Sequence, residues 1–200
     1  MFFNSNFILA SASKSRKKIF KNLKIPITCV EPTCDEETLK KQLSKKKYTP
    51  KKISLELARL KARSISLTNN KYLVVGSDTV IELDGKIINK AKNINEARSK
   101  IKKLSNKKHT IYSSASVFYN NKEVWSTTQK TTVTIRRLQK SEIDFYLLKA
   151  GKEILSSVGC YQLENLGPNI IKKIQGDFFN VLGFPLFPFL NFLKTSTKKT

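Results

Sequence analysis

The run Leu73-Val74-Val75-Gly76 is apolar throughout and passes directly into the polar triplet Ser77-Asp78-Thr79. An apolar run of this length, bounded by a glycine, predicts a buried strand. An aspartate at the end of such a strand is expected to project into a cleft, where α/β proteins place their sites. Phe7-Ile8-Leu9-Ala10 has a similar form. It ends in Ser11-Ala12-Ser13 and is followed by a basic helical pattern carrying Ile19, Phe20 and Leu23. That reads as strand, polar turn, helix.

The remaining elements follow from periodicity and turn chemistry. Ile25 to Val30 predicts a strand, followed by the acidic patch Asp35-Glu36-Glu37. The charge run from Lys40 to Lys47 predicts an exposed helix end or loop. Pro50 opens a helix through about Leu67. Ile81 to Ile88 predicts a hairpin over Asp84-Gly85. Asn93 to Leu104 reads as helical, and Thr110–Tyr119 and Val124–Ile135 as strands paired around Asn120-Asn121. A helix is expected from Ser141, with Asp144 three residues on as a capping variant. Ile170 to Ile174 predicts a strand, Gly176-Asp177 a turn, and the Phe-rich tail a closing helix broken by proline. Strands and helices intermix with hairpins, so the expected fold is α/β with a mixed sheet flanked by helices. Two hundred residues suit one domain over 1–200, or two lobes sharing a core.

Several residues could carry chemistry, each with a plainer alternative. Ser11 and Ser13, with Arg16 nearby, offer hydroxyls, a guanidinium and free N–H groups at a helix start, a combination that suits a phosphate. Serines there are also ordinary caps. Asp78 can bind a divalent cation or orient water, or close a turn on its own backbone. Lys61 interrupts the apolar row Ile53, Leu57, Lys61, Ile65, so its ammonium must either snorkel to water or meet an anion. Glu36 offers a metal carboxylate or a helix cap. Lys90, after Ile87-Ile88, reaches a phosphate or is one more surface lysine.

Composition narrows the chemistry. The 38 Lys and Arg against 15 Asp and Glu give a net charge of +23, which attracts polyanions. The excess is nearly all lysine and reads equally as a solvated face. Cys29, Cys34 and Cys160 show neither metal spacing nor an even disulfide framework, which fits a reducing cytoplasm. His109 is the only histidine, arguing against a His-ligated metal or a His-based triad. A metal here would be a hard cation on carboxylates, Mg²⁺ or Mn²⁺. The apolar run FFNVLGFPLFPFLNFL is short and carries Pro185 and Pro188, so it reads as core and not as a membrane span. FFNSNFILASAS lacks the basic leading region of a signal peptide.

The segments ILASASKSRKKIF, CDEE, LARLKA, VVGSDTVI, GKIINKA, LSNKKHTIYS, SVGCYQLENLG and IKKIQGDFFNVLGFPL stand in this order along nearly the whole chain. Together they resemble the Maf family of nucleotide pyrophosphatases. The resemblance implies a single α/β fold with a deep cleft. There a divalent cation helps water attack the α-phosphate of a nucleoside triphosphate. It implies Asp78 as proton acceptor, Ser11 and Arg16 as phosphate-binding, and Glu36, Lys61 and Lys90 as the residues of the family's acidic pair, AxxKA and KP motifs. A homodimer is compatible with it.

The chain departs from the family pattern at Lys14-Ser15-Arg16, where a proline and an arginine are lost, and at Lys90-Ala91. Ser15, Thr79 and Glu164 stand where the family sets base choice. Thr79 resembles the branch acting on dTTP and UTP, whereas Glu164 resembles the branch acting on 7-methyl-GTP. A carboxylate only accepts hydrogen bonds, which suits a guanine edge. Two other readings stay open: a catalytically weak nucleotide-binding regulator of cell division, and a basic nucleic-acid-binding protein. Against the latter, no nucleic-acid motif is found, and the aromatics do not interleave with lysines.

Overall fold

The computed structural model describes residues 7–196. Strand β1 (Phe7–Ala10) pairs in parallel with β2 (Ile27–Val30) on one side and β3 (Leu73–Leu83) on the other. Its four residues are all buried, at 5 % exposure or less, as expected of a short apolar strand flanked on both sides. Ala10 stands opposite Gly76, so both strands reach the same edge just before their polar triplets. The strands form a mixed sheet of order β2-β1-β3-β5-β6-β7, with β4 (Lys86–Ile88) antiparallel to β3. Strands β5 (Lys108–Tyr119) and β6 (Lys122–Ile135) are the expected long pair, and β7 (Ile171–Gln175) is antiparallel to β6.

The chain divides into two compact units, one of residues 1–79, 113–129 and 183–200, the other of residues 80–112 and 130–182. In the first, helix α1 (Lys14–Asn22) starts where Ser13 Oγ accepts the Arg16 N–H. Helix α2 (Glu36–Lys45) starts under Asp35, and α3 (Pro50–Ser66) under Thr49, with Pro50 in its first turn. The α3 row Ile53, Leu57, Lys61, Ile65 is buried throughout. At Gly76 the helix lies directly on β3: a Cβ there would collide with the Ala58 carbonyl oxygen and sit 2.5 Å from the Ala62 nitrogen. Phe7, Phe20, Phe184 and Phe189 close the other part of this core through edge-to-face contacts.

The second unit has its own apolar core, including Ile81, Ile101, Ile111, Val133, Leu147 and Tyr161. Helix α4 (Ile94–Leu104) is capped by Asn93 and packs on α5 (Lys140–Ala150). Asp84 and Gly85 both take positive φ in the β3–β4 turn, as a two-residue hairpin requires.

Five expectations are corrected. Asp78 lies within β3 and not at a strand end, because the strand continues unbroken from Leu73 to Leu83. The strand after α1 begins at Ile27, not Ile25, because Pro26 has no N–H to give a ladder. The Lys40–Lys47 run is mostly the body of α2. Helix α5 begins at Lys140, with the Gln139 N–H donating to Glu142 at 2.7 Å; Asp144 is engaged instead by Arg98 of α4. The tail is broken at Gly183 (φ 99°) between α6 (Phe178–Val181) and α7 (Leu186–Ser196). Pro188 sits in the first turn of α7, where its missing N–H costs no helical bond. Among the described residues, no helix is long and apolar enough to cross a membrane.

Candidate functional site

The site is built at the end of β1 and in the middle of β3, in the first unit. Beyond Ala10, the Ser11 N–H bonds the Leu9 and Val30 carbonyls, each at 3.0 Å, which holds this residue against both strands. Ser11 is buried, and its hydroxyl oxygen accepts the Ser13 N–H. Beyond Gly76, strand alternation turns Ser77 and Thr79 one way and Asp78 the other.

Asp78 meets α3. Lys61 Nζ lies 2.7 Å from Asp78 Oδ1 and 2.8 Å from Glu36 Oε2 at the start of α2. Lys61 is only 7 % exposed and Asp78 8 %. An ammonium at such depth must be neutralised, and two carboxylates do so. Of the two fates open to Lys61 from sequence, it meets anions, and they are the protein's own.

The other face holds a different network. Arg16 donates through Nε to the Gly183 carbonyl at 2.7 Å, through Nη1 to Ser11 Oγ at 3.3 Å, and through Nη2 to Thr79 Oγ1 at 2.9 Å. Ser77 and Thr79 also donate to the Gly183 carbonyl, at 3.2 and 3.4 Å, and Thr79 meets Ser113 Oγ at 3.0 Å. Burial pulls the Arg16 guanidinium below its ordinary pKa, while Asp78 and Glu36 pull it back up.

The sequence reading overlooked two participants. Lys40 stands four residues after Glu36, on the same face of α2, and is half-buried. Burial lowers its pKa, and Asp78, Glu37 and Glu36 oppose that shift, so its ammonium lies in the field of the same carboxylates. The i, i+4 spacing was visible in the sequence, but the surrounding lysines hid it. Gly183 is the second, and a backbone carbonyl leaves no sequence signal. Beside Lys61, burial and Glu36 hold the Cys34 thiol above its usual pKa.

The first unit thus brings Glu36, Lys61 and Asp78 together in one network and Ser11, Ser13, Arg16 and Thr79 in another. Ser15 is half-buried in the first turn of α1. Lys90 and Glu164 belong to the second unit. There Lys90 is exposed, with its carbonyl accepting from Lys100 Nζ at 2.6 Å, and Glu164 is half-buried. Among the described residues, no group of three or more His, Cys, Asp or Glu could hold a metal ion. The pair Glu36 and Asp78 supplies two hard oxygen ligands, a set that suits Mg²⁺ or Mn²⁺ where water and phosphate complete the shell.

The chain is similar to proteins of known name along most of its length. It is 35% identical over 186 residues to a nucleoside triphosphate pyrophosphatase of Caulobacter vibrioides, covering 93% of each chain. It is 33% identical over 187 residues to a 7-methyl-GTP pyrophosphatase of Rhizobium meliloti, covering 94% of each. Its fold matches the Staphylococcus aureus Ham1 protein with a TM-score of 0.53 at 15% identity, over 96% of this chain and 100% of that one. The family model described as Maf-like protein matches residues 6–196, and the chain therefore belongs to the Maf family.

Proposed function

We propose that this chain is a hydrolase that cuts a nucleoside triphosphate to the nucleoside monophosphate and pyrophosphate. Water attacks the α-phosphorus, the bond from that phosphorus to the bridging oxygen breaks, and pyrophosphate leaves with the electron pair. The water's proton passes to Asp78. The observation that carries the reading is the buried Lys61 ammonium held between Asp78 and Glu36 in a chain whose relatives are named for this reaction.

Each residue has a place in this reading. Ser11 and Ser13, at the N-terminus of α1, take the phosphate chain, and Arg16 is assigned to it by its motif. Lys61 offers positive charge as negative charge grows on the departing pyrophosphate. Lys90 is assigned the phosphates, and Ser15, Thr79 and Glu164 the base, by their motifs alone. Glu36 and Asp78 are the residues that would hold Mg²⁺ or Mn²⁺; when bound, the ion supplies Lewis-acid stabilisation of phosphate charge. A cytoplasmic homodimer completes the proposal.

The test is pyrophosphate release from a panel of ordinary and methylated triphosphates with Mg²⁺ or Mn²⁺. Turnover of at least one, lost in Asp78→Asn while that variant stays folded, is the expected result. Binding without turnover across the whole panel would point to a nucleotide-binding regulator. Full activity in Asp78→Asn would remove Asp78 from its role.

A further inference from the structure

We infer that Arg16 is a positioning residue that clamps the stretch of β3 carrying Asp78, and that Thr79 serves the same clamp through its hydroxyl instead of reading the base. The inference rests on the pyrophosphatase reading and changes what two of its residues do.

All three guanidinium nitrogens of Arg16 donate to protein groups, and the acceptors come from three separate segments: Ser11 after β1, Thr79 in β3, and Gly183 between α6 and α7. The fit is close. A Cβ on Gly183 would lie 3.1 Å from Thr79 Oγ1 and 3.5 Å from Arg16 Nη2, so the guanidinium is seated against bare backbone. The Gly183 carbonyl collects Arg16, Ser77 and Thr79. The residues on both sides of Asp78 are thereby tied to one oxygen. Asp78 itself points the other way, to Lys61.

The Thr79 hydroxyl has no capacity to spare. It has one proton and two lone pairs. Arg16 takes a lone pair, and Ser113 and Gly183 account for the rest. A base edge would have to break one of these bonds. The arrangement instead suits a rigid support, which keeps a reacting group within the narrow tolerance that rate requires.

The experiment compares the wild type with Arg16→Lys, Thr79→Val, Thr79→Ser and the double variant R16K/T79V. Lysine keeps the charge but can make only part of the fork. Arg16→Lys and Thr79→Val are expected to lower kcat by about tenfold to a hundredfold. KM and the affinity for inorganic pyrophosphate should stay within about twofold, the pattern of a group that does not bind substrate in the ground state. Amide hydrogen exchange at residues 77–79 should quicken in both. Thr79→Ser should restore kcat and slow exchange, and the double variant should be no worse than the poorer single. The ranking of triphosphates should be the same in all of them. A roughly tenfold loss of pyrophosphate affinity in Arg16→Lys with kcat intact would make Arg16 a phosphate ligand and overturn the inference. A changed triphosphate ranking in Thr79→Val would overturn the Thr79 half. Should the wild type turn over no triphosphate, the pyrophosphatase reading fails, and exchange alone still decides the clamp: unchanged rates at 77–79 in Arg16→Lys refute it.

Discussion

Lys61 Nζ and Asp78 Oδ1 stand 2.7 Å apart with both side chains almost wholly out of water, at 8 % and 12 % exposure. Helix α3 presents the ammonium because Lys61 sits in the row otherwise filled by Ile53, Leu57 and Ile65. Strand β3 presents the carboxylate because Asp78 follows the turn of side chains at Ser77. Neither group is stable at that depth without the other, and Glu36 supplies the remaining countercharge.

Replacing Lys61 with Met should therefore leave Asp78 and Glu36 without the ammonium that bridges them. Loss of one partner of a buried pair costs roughly 3–5 kcal/mol. Because Glu36 stays partly solvated, with 41 % of its side chain exposed, the lower end is expected. The double variant K61M/D78N should recover part of that loss, since it removes both sides of the pair. Urea unfolding of the two singles and the double checks this; strictly additive losses would mean that the pair is not coupled.

Gly76 fixes how closely α3 approaches β3, and hence where Lys61 sits. A methyl group there meets the Ala58 carbonyl oxygen and Ala62 nitrogen, backbone atoms that cannot rotate away. Gly76→Ala should destabilise the protein by about 1–3 kcal/mol or more, as overpacking does, and should lower turnover in whatever fraction stays folded, because the helix must shift. Thermal melts with a parallel activity assay test both parts. An unchanged melting temperature would show that the helix yields freely.

The sequence carried the local pieces of this site more clearly than their assembly. The lysine in the apolar row of α3, the glycine before Ser77-Asp78-Thr79 and the Ser13 cap are each local patterns, governed by periodicity and capping. What escaped depended on distant backbone. Nothing in the residues around Arg16 indicates that its guanidinium seats on Gly183, 167 positions away. The pairing of β1 with β3 joins strands separated by α1, β2, α2 and α3, and periodicity does not encode partner choice. The start of α5 was misread because Asp144 is spaced like a capping acid, whereas its carboxylate is taken by Arg98. Lys40 escapes notice because its i, i+4 spacing from Glu36 is lost among the surrounding lysines.

His109 predicts a pH dependence. It is 2 % exposed; its Nε2 meets the Tyr161 hydroxyl at 2.7 Å, and its Nδ1 has no hydrogen-bond partner among the described residues. Burial pushes its pKa down from 6.5 to about 4. The folded state therefore resists protonation while the unfolded chain accepts it. Stability linked to this residue is intact above pH 6.5 and falls as pH drops from there towards 4, by about 3 kcal/mol in all. His109→Gln should unfold at lower urea at neutral pH yet lose less stability over that window than the wild type. Parallel slopes for the two proteins between pH 6.5 and 4 would refute the assignment.

Glu164 bears on the choice of base. Its carboxylate accepts hydrogen bonds without donating any, which matches the N–H and amino groups of a guanine edge, whereas an amide can both donate and accept, as a uracil or thymine edge requires. Under the proposed reading, Glu164→Gln should lower kcat/KM for guanine triphosphates, the 7-methylated form included. It should also raise the relative rate on dTTP and UTP. A change of about tenfold to a hundredfold in the ratio is expected when one recognition pair is altered within a site that otherwise still binds. Because Glu164 is assigned no part in the phosphate chemistry, affinity for inorganic pyrophosphate should not move. Competition assays with paired triphosphates measure the ratio directly. An unchanged ratio would remove Glu164 from base selection. A shift confined to pyrophosphate affinity would place its carboxylate near the phosphates instead.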